Sequence, residues 1–156
     1  MRVQLSVVGR LRNGPEKDLI DDYVTRFERS GKALGFTECT IVEVEDKKGG
    51  GQAAEADLLL KSIPKGAMIV TLDERGKLIS SPEFAQNLAR WRDESPSCIC
   101  FVIGGADGII KELRAQAHYS ISFGKMVWPH MLARVMLTEQ LYRAVSILAG
   151  SPYHRV

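Results

Sequence analysis

Cys98-Ile99-Cys100-Phe101-Val102-Ile103-Gly104-Gly105-Ala106-Asp107-Gly108 is the stretch that decides the fold. Six residues without a charge run straight into a glycine-rich turn. A strand with one wet face alternates apolar and polar side chains, whereas a strand covered on both faces does not. This run is therefore expected to be a central strand of a mainly parallel sheet, with the glycine turn leaving its carboxyl end.

Working outward, apolar runs alternate with helical patterns. Val3–Val8, Thr37–Val44, Ala67–Leu72 and His118–Phe123 read as further strands. Helices are expected from Pro15 to about Ser30, over Ala53–Ser62, from Ser81, over a short Ile110–Gln116, and from Pro129 to about Ala149. Pro15 and Pro129 open helices because a first-turn residue has no intrahelical use for its N–H. Ser81 reads as a helix cap before Phe84, Leu88 and Trp91. Asp73-Glu74-Arg75-Gly76 reads as the turn that ends the third strand. Strictly alternating strands and helices define an α/β fold with a mainly parallel sheet flanked by helices. With no repeat and no linker, residues 1–156 are expected to form a single domain.

Composition narrows the class. The 156 residues are 45% hydrophobic and 26% charged, enough for a core and a wet surface. The apolar run at Met1–Gly9 is too short for a secretory leader. No stretch approaches the roughly 20 apolar residues of a membrane span. A cytoplasmic protein with no membrane partner is the expectation. Cys39, Cys98 and Cys100 match no zinc or redox spacing, so no metal is expected and all three read as buried thiols. A net charge of +2 permits an RNA partner without requiring one.

The last helix is apolar around most of its circumference. Ala133, Leu137, Leu141, Ala144 and Leu148 line one face; Met131, Val135, Thr138, Tyr142 and Val145 line another. Only a strip near Arg134, Glu139, Arg143 and Ser146 is polar. Such a helix is buried on several sides, within one subunit or against a second.

Ligands of open α/β sheets sit beyond the carboxyl ends of the strands. Three such ends stand out: Thr71-Leu72-Asp73, Gly104-Gly105-Ala106-Asp107-Gly108, and Phe123-Gly124-Lys125-Met126-Val127-Trp128-Pro129-His130. The glycine turn is neither a dinucleotide fingerprint nor a phosphate loop. Together with the apolar third end it suits an adenine ring, which needs a flat apolar slot and main-chain hydrogen bonds; plain turn packing is the alternative. At the C-terminus, Tyr153 can stack on a base, Arg155 can hold a phosphate, and His154 can move a proton. A tail of this kind can also simply fray. A flavodoxin-like carrier is disfavoured because Gly9-Arg10-Leu11-Arg12 is basic where a phosphate loop would stand, and a receiver because no acidic residues stand there.

Leu72-Asp73 with Gly76-Lys77, Phe101-Val102-Ile103-Gly104-Gly105 with Gly108, Pro129-His130, Arg134-Val135, Glu139-Gln140-Leu141-Tyr142-Arg143-Ala144 and Tyr153-His154-Arg155 occur in that order. This set resembles the RlmH-type family of large-subunit ribosomal RNA methyltransferases, within the SPOUT superfamily. The resemblance spans essentially the whole chain and is most specific from Ile69 onward. It implies a SPOUT-type α/β knot, a homodimer, and S-adenosyl-L-methionine as methyl donor. The donor is then expected at Leu72, Gly104, Gly105, Phe123, Gly124, Lys125, Met126, Val127 and Trp128. The target is expected to be N3 of a pseudouridine in 23S rRNA of the assembled ribosome; a knotted enzyme acting on tRNA is the nearest alternative. Tyr153, His154 and Arg155 are expected to face the base, with His154 a candidate proton acceptor. Arg10, Arg12, Lys47, Lys48, Lys125 and Arg143 are candidate phosphate contacts.

Overall fold

The computed structural model describes residues 1–155. Five strands, β1 (Val3–Val8), β2 (Cys39–Val44), β3 (Met68–Leu78), β4 (Ile99–Ile103) and β5 (Tyr119–Ser122), form one sheet. Its order is β2-β1-β4-β3-β5 and every pairing is parallel. Helices α1 (Pro15–Gly31), α2 (Gly51–Ser62), α3 (Ser81–Asp93) and α4 (Lys111–Ala115) make the four crossovers, and α5 (His130–Leu148) follows the last strand.

Alternate residues of a strand point to opposite faces, so the two central strands feed two cores. Val3, Leu5, Val7, Ile99, Phe101 and Ile103 pack with Phe27 of α1, Leu88 and Trp91 of α3, and Leu137 and Leu141 of α5. Val8, Cys98, Cys100 and Val102 pack on the other face with Ala56 and Leu59 of α2 and Leu113 of α4. All five residues of β4 are buried, as an unbroken apolar run requires. The three cysteines are free and buried. Loss of water pushes the Cys39 thiol up to about 12 and the Cys100 thiol up to about 11, so both stay protonated and inert.

Three expectations need correction. First, the third strand does not stop at Leu72. Its register against β5 breaks between Leu72 and Lys77, both of which pair with Ile121, and the strand then runs on to Leu78. Residues 73–76 are an excursion rather than a terminating turn. At its end Gly76 lies flat on β5: a Cβ there would stand 2.6 Å from the backbone carbon of Ile121.

Second, the cap of α3 is Ser80, not Ser81. Ser80 Oγ accepts the Glu83 N–H at 3.2 Å, and Glu83 Oε1 accepts the Ser80 N–H at 3.2 Å, a reciprocal capping box. Ser81, inside the helix, instead donates to Gln140 Oε1 of α5 at 2.7 Å.

Third, the polar strip of α5 is half dry, with only Glu139 and Arg143 partly exposed. Arg134, Thr138 and Ser146 are buried. Thr138 and Ser146 satisfy their hydroxyls on carbonyls one turn back, at Arg134 and Tyr142. The first turn of α5, by contrast, leaves apolar Met131 and Leu132 in water. No helix among the described residues is long and apolar enough to cross a membrane.

Candidate active site

In a parallel sheet all carboxyl ends lie at one edge, and register decides which turns meet there. Leu72 pairs with Ile103 on β4 and with Ile121 on β5. Gly104 therefore follows directly beside Leu72 on one flank, and Ser122, Phe123 and Gly124 on the other. The three strand ends singled out in the sequence are thus neighbours. Gly104 must be glycine, since a Cβ would lie 2.6 Å from the Gly108 carbonyl oxygen. Gly108 N–H donates to the Gly105 carbonyl at 3.0 Å and closes that turn. Ser122 Oγ closes the other, 3.1 Å from both the N–H and the carbonyl oxygen of Gly124.

Beyond Gly124 the chain crosses to α5 with its apolar side chains in solvent. Met126 is 74% exposed, Val127 85% and Trp128 43%. An apolar cavity of about 460 Å³ opens next to this crossing, its walls including Leu78, Phe84, Phe123, Gly124, Met136 and Glu139. Of the residues assigned to the methyl donor, Phe123 and Gly124 line it; Leu72, Gly104, Gly105, Lys125, Met126, Val127 and Trp128 do not.

The C-terminal tail folds back onto α5. Tyr153 donates its hydroxyl to Glu139 Oε1 at 3.0 Å, and its ring packs on Tyr142 with centroids 4.5 Å apart. Arg143 donates to the same Glu139 oxygen at 2.9 and 2.6 Å and lies over the Tyr153 ring. Its third nitrogen is 3.2 Å from His154 Nδ1. A guanidinium only donates, so Nδ1 accepts and the neutral ring carries its proton on Nε2. Burial, and then the Glu139 carboxylate, push the Tyr153 phenol well above its usual value. Tyr153 and His154 are therefore both proton-bearing groups here, and Arg155 is exposed. Arg143, a candidate phosphate contact, has each of its three guanidinium nitrogens bonded within the subunit and anchors the tail. Arg10, Arg12, Lys47, Lys48 and Lys125 remain exposed.

Glu139 and Arg134 were given no role from sequence, yet both organise this end of the molecule. Glu139 lines the cavity on one side and holds the tail on the other. Its spacing from Arg143, four residues along a helix, was the available signal. Arg134 donates to the carbonyls of Val8 and Gly9 at 2.8 Å each and to Glu43 Oε2 at 3.0 Å. The same Glu43 oxygen accepts the Leu11 N–H at 2.6 Å. The loop after β1, with Arg10 and Arg12, is thereby tied to α5. No cluster of three or more metal-ligating side chains occurs among the described residues.

The edge of the parallel sheet thus brings together two glycine-turned strand ends and the point where β3 breaks its register, the place where α/β folds bind ligands. Comparison with known proteins makes the class definite. The family described as "Predicted SPOUT methyltransferase" matches residues 1–154. The chain belongs to the SPOUT methyltransferase family. It is 67% identical to "Ribosomal RNA large subunit methyltransferase H" of Dinoroseobacter shibae over 156 residues, the full length of both chains. A protein of the same name from Ruegeria sp. (strain TM1040) is 66% identical, again over both full lengths. Among solved structures, a probable methylase family protein from Haemophilus influenzae Rd KW20 superposes with a TM-score of 0.50 at 15% identity. That superposition covers 99% of this chain and 70% of the other, and it speaks for the fold alone.

Proposed function

We propose that this chain transfers the methyl group of S-adenosylmethionine to N3 of a pseudouridine in 23S rRNA of the assembled ribosome, acting in the cytoplasm as a homodimer. The observation that carries the reading is the register that makes Leu72, Gly104 and Phe123 neighbours at one sheet edge. Those turns fit an adenosyl group. Their backbone is stripped of side chains at Gly104, Gly105 and Gly124, half-buried Phe123 walls one side, and Met126, Val127 and Trp128 supply apolar surface that little in the subunit covers. The full-length likeness to proteins named as large-subunit methyltransferases supports ribosomal RNA as the substrate class.

The donor supplies an electrophilic methyl group on a sulfonium, so the protein's work is alignment of donor and nucleophile. Leu72, Gly104, Gly105 and residues 123–128 hold and orient the donor. Tyr153, His154 and Arg155 face the base. Tyr153 gives its one hydroxyl proton to Glu139 and so braces the tail, while the Nε2–H of the neutral His154 ring donates to the base as the N3 proton passes to water. Arg155 favours the negative charge that develops there. The exposed apolar side chains at residues 126–132 supply the surface on which a second subunit packs.

The deciding experiment incubates the protein with methyl-labelled S-adenosylmethionine and either ribosomes or bulk tRNA. Label in 23S rRNA at a pseudouridine is the expected outcome; label in tRNA alone, or in neither, overturns the reading. His154→Ala and Arg155→Ala are expected to lower methylation at least tenfold with donor affinity nearly unchanged. Wild-type turnover in both would remove the tail from the mechanism.

A further inference from the structure

A second concavity lies along β5, one of the two edge strands of the sheet. It encloses about 280 Å³ and is lined by Arg75, Lys77, Arg114, His118, Tyr119 and Ser120. Its cations come from two separate stretches, Arg75 and Lys77 from the 73–76 excursion with the strand that resumes after it and Arg114 from α4.

The positive groups are held in place. Asp73, with its side chain only 4% exposed, accepts Arg75 Nε at 2.9 Å and Nη2 at 3.3 Å, and its second oxygen is 4.0 Å from Arg114 Nε. Arg114 Nε also donates to the Ile109 carbonyl at 3.3 Å. One nitrogen of Arg75 and two of Arg114 are left with no hydrogen-bond partner among the described residues. Lys77 lies 4.9 Å over the Tyr119 ring, and no carboxylate among the described residues is within ion-pair distance of it. His118 Nδ1 accepts the Ile69 N–H at 2.9 Å, so the neutral ring carries its proton on Nε2 and offers a further donor. Three fixed cations thus face two carboxylates, Asp73 and Glu74, and Asp73 is already engaged as their brace.

We infer that this concavity is a phosphate-binding subsite that seats the sugar–phosphate backbone of the RNA substrate, flanking the segment whose base is methylated. The inference rests on the RNA reading above. The occupant is a phosphodiester because the site offers charged and N–H donors without a flat apolar slot for a base. The Tyr119 ring is covered by Lys77 on one side and packed against Trp91 on the other. Such a contact fixes register along the strand and reads no sequence. Braced guanidinium groups also lose less freedom on binding than mobile ones.

The test is direct binding of assembled ribosomes, through their large-subunit RNA, to the full chain in a salt series, with Lys77→Gln and the double variant Lys77→Gln/Arg114→Gln. Lys61→Gln, which removes one charge from α2, serves as control. The double variant is expected to bind about tenfold more weakly near 0.15 M salt, with a log–log salt slope shallower by about one for each phosphate that the variant no longer neutralises. S-adenosylmethionine affinity and thermal unfolding should match wild type. Unchanged RNA affinity and slope in the double variant overturn the inference, even if wild-type protein methylates ribosomes. Conversely, a wild-type protein that binds RNA through these residues but methylates none defeats the functional reading and leaves the subsite standing. If millimolar inorganic phosphate shifts the His118 ring resonances while the variants bind RNA normally, the pocket serves free phosphate and the inference falls.

Discussion

Gly76 is held by one missing atom. Its Cβ would stand 2.6–2.8 Å from backbone atoms of Ser120 and Ile121, which cannot rotate aside as a side chain can. Gly76→Ala must push β5 and the 73–76 excursion apart, at about 1–3 kcal/mol, the range for overpacked sites; urea unfolding reads this directly, and a loss under about 0.5 kcal/mol, well below that range, would show the contact to be soft. Glu139 makes the opposite kind of constraint, one oxygen serving Tyr153 and Arg143 together. In Glu139→Gln the carboxylate is gone, so one of the four tyrosines should titrate closer to the ordinary phenol range in an ultraviolet pH titration. Burial is the largest single cause of the raised Tyr153 value and outlasts the substitution, so the return is partial unless the tail also detaches. Methylation should fall while donor affinity holds, because the tail rather than the donor edge is disturbed.

Between elements, the decisive link is Arg134, which joins α5 to the end of β1. Glu43 is partly exposed and can rehydrate if its partner is lost, but the Val8 carbonyl cannot. Arg134→Met should therefore cost about 1–3 kcal/mol, the range for a buried acceptor left without its donor, seen as a lowered denaturation midpoint. Next to it, burial and then the Arg134 charge depress the His130 pKa below its usual 6.5. The native chain thus refuses a proton that the unfolded chain accepts. The stability contribution is complete above 6.5 and is lost as pH falls from there toward the depressed native value. Wild-type protein should lose stability as pH falls below 6.5, and His130→Gln should flatten that slope; parallel curves would assign the slope elsewhere. What was legible at this scale follows from what is local. Alternation and apolar runs expose strands and helices because burial imposes its period on neighbouring residues. The Ser80-to-Glu83 spacing carried the capping box in plain sight, with Ser81 as a decoy one residue on. Asp73-Glu74-Arg75-Gly76 is turn-like chemistry that says nothing about the strand pairing again after it. Arg134 looks like a surface charge because its partners lie 91 to 126 residues away in sequence. The donor-edge turns were visible as composition, but only register makes them neighbours.

For the whole molecule, the exposed side chains decide what else must be present. Met126, Val127, Trp128, Met131 and Leu132 form one nearly continuous apolar run in sequence, all at least 38% exposed. Scattered apolar residues on a surface need no explanation, but a contiguous group of this size marks an interface. A standard interface buries about 800 Å² per partner, and this run with the adjoining face of α5 is the proposed place for it. Sedimentation equilibrium should then give about twice the 17.3 kDa chain mass for wild type. Met131→Glu/Leu132→Glu should give a monomer, because two carboxylates per subunit would have to be desolvated on association. Thermal midpoints should rise with concentration for wild type and not for the double variant, since only an associating protein gains stability by mass action. A wild-type chain that sediments as a monomer at micromolar concentration would leave the run as part of the donor site alone. In that case adding S-adenosylmethionine should protect Trp128 from quenching to the same extent in wild type and in the variant.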